Sequence, residues 1–389
     1  MPVGGDASRH LSLCVGCGDF ALADALVNIA LFVPLGLAFA LRRARAGRAL
    51  VWIVLTTVTV ETLQYVVVRG RTASVGDVIA NTIGGALGLA APRVLRWVLA
   101  SAPRVARATS AAAGAIALVV AAALALQAIH PPPSLHWTRH APVLRRGFEP
   151  FTGFVSQVQL GGLPFAEGET RALERRDSVQ LRIALRSGRP PERLAEVLQL
   201  WTPAGHGWVW IDQRGTNLRT HVTSRADDWR LRGHATWASG SLPAAAGESV
   251  SVRIALQRFR YDIEVDHGGA VMKKIVTVSP GDGWRLLVPF ERQRQRERWS
   301  LTLTALWVGA LLFPLGLFAQ RHSRKLVVGA GIGAAVYFTA VPFLVGCAAL
   351  SLAGWLGAAA GYASGAAAAT PTVGDWVGRV NAWVGAETP

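Results

Sequence analysis

Charge is scarce in this chain of 389 residues: 16% are charged against 51% hydrophobic, and the mean hydropathy is +0.32. That balance excludes an ordinary water-soluble protein. Acid is the scarcer sign, with 24 Asp and Glu against 40 Lys and Arg, a net charge of +16. The basic residues form no single run or face, so the excess does not read as a nucleic-acid surface. Several sit in short loops between apolar segments, where the positive-inside rule accounts for them. No P-loop, Rossmann fingerprint, G-x-S-x-G elbow or H-E-x-x-H motif is present. There are three cysteines. Cys14 and Cys17 form a C-x-x-C, readable as a disulfide, a redox pair or half of a metal site, and Cys347 reads as a small apolar membrane residue. His136 and His140 follow Pro131-Pro132-Pro133 and read as solvated linker. Neither a metal nor a cofactor is expected. The first 20 residues lack the basic and apolar regions of a cleavable signal peptide.

What is present is apolar sequence bunched at the two ends. Residues 22–41, 49–68, 75–98, 110–129 and 301–320 are each close to the ~20 residues that span a bilayer. The stretch 326–369 reads either as one span plus an interfacial helix after Pro342, which is preferred, or as a tight hairpin of two spans. The expected fold is therefore a polytopic α-helical membrane bundle of about six transmembrane helices, embedded in the lipid bilayer. Basic loops follow segments one, three and five. Placing them in the cytoplasm puts the tail 1–21 and residues 132–298 outside and the tail 370–389 at the other end of the chain. The Arg69–Arg71 turn is the exception, lying outside.

Residues 132–298 follow another pattern. Val155–Leu160, Val179–Leu185, Val250–Leu256 and Tyr261–Val265 alternate with period two, and Gly161-Gly162 and Gly268-Gly269 mark turns between them. This predicts an inserted extracytoplasmic all-β sandwich. Its strand order loosely resembles the laminin-G and concanavalin-like sandwiches. Trp208 and Trp210 share a face if their segment is a strand, and read as core packing or as a platform for a glycan.

The first three segments carry polar residues at depths where they are expensive. Asp24 and Asn28, Glu61 and Gln64, and Asp77 and Asn81 are pairs three or four apart, each on one helix face. Asp77, Asn81, Gly84 and Gly88 form one stripe, and Gly84-x-x-x-Gly88 permits close helix packing. With the N-terminus outside, all six polar groups converge on the outer leaflet beside Arg71, which is placed to neutralise Asp77 or Glu61 or to face an anionic ligand. The expectation is a polar pocket opening outward.

The pieces Asp24–Asn28, Leu31–Gly36, Glu61–Gln64 and Arg71 through Asp77–Gly84 together resemble the VanZ-like family of bacterial membrane proteins over about the first 90 residues, the domain 22–98. The resemblance implies a multi-pass protein of the bacterial inner membrane and cell envelope, in a family linked to glycopeptide antibiotic resistance. The family usually has a further helix ahead of the Asp/Asn helix, where this chain has a short tail. The expected function is a non-enzymatic envelope factor whose pocket takes a lipid, a lipid-linked cell-wall precursor or a glycopeptide, and whose sandwich binds a glycan or protein. The alternative is a membrane-embedded enzyme acting on a lipid-linked phosphate, with Glu61 as general base. Near the other end, Leu312–Gly316 echoes Leu31–Gly36, and Thr372–Val377 echoes Ser74–Ile79.

Overall fold

The computed structural model describes residues 11–12, 20–67, 73–139, 147–173, 178–288 and 293–370. The helices are α1 (Ala21–Leu41), α2 (Ala46–Val67), α3 (Val75–Leu99), α4 (Ala102–Gln127), the short α5 (Arg225–Asp228), α6 (Gln293–His322), α7 (Arg324–Val345) and α8 (Leu352–Ala368). Among the described residues, six helices are long and apolar enough to cross a membrane: α1, α2, α3, α4, residues Trp299–His322 of α6, and α7. The threonines of α2 are tolerated in such a segment because Thr56, Thr57, Thr59 and Thr62 each donate a hydroxyl to the carbonyl four residues back.

Three differences from the sequence reading concern helix ends. Helix α4 begins at Ala102, a full two turns before residue 110. Helix α6 begins at Gln293, inside the segment assigned to the sandwich. The stretch 326–369 folds as two helices, α7 and α8, of which α7 is long and apolar enough to cross a membrane and the 17-residue α8 packs along α6. Gly346, in the left-handed conformation, ends α7, and Ser351 caps α8 by accepting from Gly354 N. Cys347 lies in the intervening turn.

Between α4 and α6 lies the β domain. Two short strands, β1 (Leu11–Ser12) and β2 (Ala73–Ser74), pair in parallel ahead of it. The remaining strands are β3 (Ser134–Thr138), β4 (Phe148–Glu149), β5 (Phe154–Leu160), β6 (Leu163–Pro164), β7 (Arg171–Ala172), β8 (Ser178–Arg186), β9 (Leu194–Trp201), β10 (Gly207–Arg214), β11 (Asn217–Val222), β12 (His234–Ala238), β13 (Ser249–Gln257), β14 (Arg260–His267) and β15 (Ala270–Thr277). One sheet runs β12-β11-β10-β9-β3-β7 with β4 also on β9, and the other runs β15-β14-β13-β8-β5-β6. Every alternating run seen in the sequence is a strand. Gly161-Gly162 and Gly268-Gly269 have positive φ at both positions, the conformation of a two-residue hairpin turn. The inner faces close over one apolar core that includes Leu198, Ile211, Ile183, Ile254 and Tyr261. Trp208 is buried in that core at 4% exposure, because a register shift between Gly207 and Val209 breaks the alternation, so packing is its role. Trp210 is half-buried and stands edge-on to His221. His136 is in strand β3, paired with Trp201, and not in a solvated linker.

The helices pack through glycine. A Cβ on Gly84 would collide with the Ile29 carbonyl, one on Gly88 with the Val33 carbonyl, and one on Gly36 with the Gly85 carbonyl and Leu89 N. Helices α1 and α3 are therefore in backbone contact. The pair α6 and α8 repeats this residue for residue. Gly361 meets the Gly309 carbonyl, Gly365 the Phe313 carbonyl and Leu317 N, and Gly316 the Tyr362 carbonyl and Ala366 N. The α3-to-α8 offset is constant at 277 (74 to 351, 84 to 361, 88 to 365), and that from α1 to α6 is 280 (29 to 309, 33 to 313, 36 to 316). Helices α2 and α7 are both 22 residues long. The glycine-packed pair, with a 22-residue helix between its members, thus occurs twice, once on each side of the sandwich; α2 lies on α3, and α7 lies against α6. Leu312–Gly316 is the counterpart of Leu31–Gly36. The place of Ser74 is taken by Ser351, which caps α8 as Ser74 caps α3; residues 372–377 lie outside the described residues.

The close contacts predict a sharp contrast between glycines. Gly88→Leu should lower the thermal midpoint in detergent, since overpacking costs about 1–3 kcal/mol or more. Gly47→Leu, where an added Cβ meets nothing, should melt with the wild type. Equal melting of the two variants would remove the backbone contact as a source of stability.

Candidate functional site

The polar residues of the first unit sit at the end of the bundle that meets the sandwich. Asp77 lies in the first turn of α3, where a carboxylate is favoured by the helix dipole, and Ser74 caps that helix. Asn28 Nδ2 donates to Asp77 Oδ1 at 2.7 Å, joining α1 to α3. Asn81, one turn further along α3, is 2% exposed, and among the described residues its Oδ1 has no hydrogen-bond partner. On α2 the buried face is Ala49, Ile53, Thr57 and Glu61. Ile53 lies where a Cβ on Gly85 would be. Since α2 and α3 run antiparallel, Glu61 is level with Asp77, each eight residues, roughly 12 Å, from that contact. Glu61 is 7% exposed, and Gln64 Oε1 is buried with no partner among the described residues. Two orphaned amide oxygens inside an apolar bundle are costly, at about 1–3 kcal/mol each.

Asp24 goes elsewhere. Its Oδ1 accepts from Arg232 at 2.6 Å, a residue of the sandwich 208 positions away. The same guanidinium lies over the Phe20 ring, and its Nε donates to the Leu287 carbonyl. Ala23 N also donates to the Arg230 carbonyl. Asp24 therefore ties α1 to the sandwich and stands at the rim of the polar group, with its side chain 55% exposed. Arg71, Cys14 and Cys17 lie outside the described residues.

The sandwich is seated on the bundle at further points. Trp284 Nε1 donates to Thr304 Oγ1 at 3.0 Å, Ile129 N to the Arg258 carbonyl, and Ala348 N to the Val278 carbonyl. His234, buried on β12, contacts the carbonyl of Gln127, the last residue of α4, through Nε2 at 2.5 Å. Burial pushes the His234 imidazole down to about 4, outweighing that hydrogen bond. Arg232 and His234 carried no signal in the sequence, because neither lies in a motif and their bundle partners, Asp24 and Gln127, are more than a hundred residues away.

A second feature is on the outer face of the sheet β15-β14-β13-β8-β5-β6. Gln159, Arg182, Arg253, Glu264 and Lys273 are successive cross-strand partners and so form one row on one face. They line a polar groove of about 330 Å³. Glu264 accepts from Arg253 at 3.0 Å and lies 3.7 Å from Lys273 Nζ.

The second three-helix unit acts as an internal control. Val308, Gly354 and Ala358 stand where the first unit has Asn28, Asp77 and Asn81, and Thr339 and Pro342 stand at the α7 positions matching Glu61 and Gln64. The same glycine packing of the paired helices is achieved there without Asn28, Asp77 and Asn81.

Residues 6–96 match the VanZ/LLP1 family model and form a VanZ-like domain. No curated protein and no solved structure matches the chain.

Two predictions concern the seating of the sandwich. His234 is neutral in the folded state, while the unfolded chain takes up a proton below about pH 6.5. Its contribution is therefore present above pH 6.5 and lost as the pH falls towards 4, by roughly 3 kcal/mol at most. A thermal midpoint that drops across that window, and drops less in His234→Gln, is the expected result; identical profiles would contradict it. For Asp24 and Arg232, a double-mutant cycle with alanine should return a coupling of under about 1 kcal/mol, because the carboxylate is half exposed. Arg232→Ala alone should cost more than Asp24→Ala, because it also loses Phe20 and Leu287.

Proposed function

We propose that this membrane protein is a non-enzymatic factor of the bacterial cell envelope. In this reading its VanZ-like unit holds an outward-facing polar pocket within the bilayer, built from Asn28, Glu61, Gln64, Asp77 and Asn81 with Asp24 at the rim. The ligand is a lipid-linked cell-wall precursor, a related lipid or a glycopeptide, recognised by buried amides and carboxylates that can bond a polar headgroup. The sandwich binds a glycan or protein on its exposed face, with the row Gln159–Arg182–Arg253–Glu264–Lys273 as the contact surface. The protein then spans the inner membrane with the sandwich on the outside, a topology that the basic loops after the first, third and fifth apolar segments support.

The observation that carries the pocket is the comparison between the two three-helix units. Polar groups inside a membrane are expensive. Were they needed to pack this fold, the second unit would carry them too. Instead, Val308, Gly354 and Ala358 support the same glycine contacts. Among the described residues, the first unit also leaves Asn81 Oδ1 and Gln64 Oε1 without partners. A ligand that donates to those oxygens would supply what the fold does not.

The test exchanges the polar set for its own counterparts: Asn28→Val, Glu61→Thr and Asn81→Ala, singly and together. Each variant should reach the membrane at wild-type abundance. Native mass spectrometry of lipids co-purifying with the full chain should show a species on the wild type that is lost from the variants. Tolerance to a glycopeptide antibiotic should fall in cells that rely on the protein. If abundance collapses instead, the polar groups are structural; if the lipid complement is unchanged, the pocket binds nothing.

A further inference from the structure

A cavity of about 620 Å³ lies between α4, α6 and α7, at the opposite end of the bundle from the sandwich. Its walls are largely apolar, from Ala113 and Ile116 on α4 and Leu312 on α6 to Gly333 on α7. It extends along α4 from Ala106 to Ala117 and along α7 from Leu326 to Phe338, roughly 16–18 Å by helix rise. That is close to half of the ~30 Å hydrocarbon core, the depth of one leaflet. Towards the middle of the membrane the cavity is closed by Tyr337, whose hydroxyl donates to the Ala117 carbonyl at 3.0 Å and ties α7 to α4.

The glycines here differ from the close-packed glycines of the two helix pairs. Gly36, Gly84, Gly88, Gly316, Gly361 and Gly365 are small because another helix backbone touches them. Gly329 and Gly333 line the cavity, and a Cβ added to either meets nothing within 4 Å. Their smallness serves the cavity and not a helix contact.

The open end carries one sign of charge. Arg104 and Arg107 stand at the start of α4, and Arg321, His322, Arg324 and Lys325 at the α6–α7 turn, with His322 itself lining the cavity. Residues 101–110 and 319–328 contain no Asp or Glu. Arg104 is held over the Trp97 ring and donates to the Trp97 carbonyl. Among the described residues, Arg107, Arg321, Arg324 and Lys325 form no salt bridge with a carboxylate.

We infer that this cavity is a site for an acidic phospholipid of the leaflet opposite the sandwich, with one acyl chain lying along Gly329 and Gly333 and the phosphate headgroup on the basic rim. The positive-inside rule explains basic residues at this face, but it does not call for an apolar slot of one-leaflet depth beneath them. Basic pockets between transmembrane helices on this side select anionic headgroups. The site is independent of the polar pocket of the first unit, which lies at the other end of the bundle.

The test uses the full-length protein in mild detergent, titrated with phosphatidylglycerol or phosphatidylcholine of matched acyl chains and read by native mass spectrometry. One phosphatidylglycerol should be retained at about tenfold lower concentration than phosphatidylcholine. Gly333→Leu should abolish that retention with the thermal midpoint unchanged; if that variant does not fold, Ala113→Leu fills the same space from α4. Arg324→Gln with Lys325→Gln should bring the two lipids to parity while one lipid is still retained. Equal retention of both lipids by the wild type would overturn the site, as would a phosphatidylglycerol preference that survives filling of the cavity. A dimer that dissociates in Gly333→Leu would give the cavity to a second copy and overturn it too.

Discussion

Backbone contact between helices is the constraint on which this architecture rests. Inside a bilayer there is no hydrophobic force to bring helices together, so association depends on close van der Waals packing and on interhelical hydrogen bonds. Here glycine provides the first. With Gly84 and Gly88 against the carbonyls of Ile29 and Val33, α1 and α3 approach until no side chain separates them. The second unit reaches the same distance with Gly361 and Gly365 against Gly309 and Phe313. The remaining helices are arranged around these two pairs: α2 lies on α3, α4 on α6, and α7 beside α6.

Because the constraint is met twice, packing and chemistry can be separated within one chain. The serine-capped starts of α3 and α8 and the glycine contacts are common to both units, and the intramembrane carboxylates and amides are not. A residue shared by the units is explained by folding. One confined to the first unit needs another explanation, and Glu61, Asn81 and Asp77 are of that kind. The reverse comparison isolates Gly329 and Gly333, whose space is empty of packing partners and which belong to the α4–α6–α7 cavity.

Much of the fold was legible in the sequence because it depends on local periodicity. Apolar runs of span length marked the helices, and alternation marked strands such as Val179–Leu185 and Val250–Leu256. Where a longer-range contact decides, the reading failed. Residues 326–369 were too long for one span, and only the fit of Gly357, Gly361 and Gly365 along α6 shows that the second half turns back as α8. Core packing, one of the two readings for Trp208, is its place, but the register shift that puts it there also ends the shared face with Trp210. The grouping of Asn28 with Asp77 followed from helix faces and an assumed topology. The capture of Asp24 by Arg232 did not, since a salt bridge across 208 residues leaves no trace in spacing.

That capture gives the insert a place in the architecture. Arg232 donates to Asp24 on α1, and Trp284 donates to Thr304 on α6. Asp24 and Thr304 are equivalent under the 280-residue offset between the two units. The sandwich therefore holds the same position in each copy with two different side chains, bridging them at the ends of the helices whose glycines matter most. His234 on the Gln127 carbonyl fixes it to α4 between them. A domain inserted between two halves of a membrane protein could have hung from flexible linkers. This one is fastened to both halves at matched points, so its orientation over the polar end of the first unit is set by the bundle beneath it.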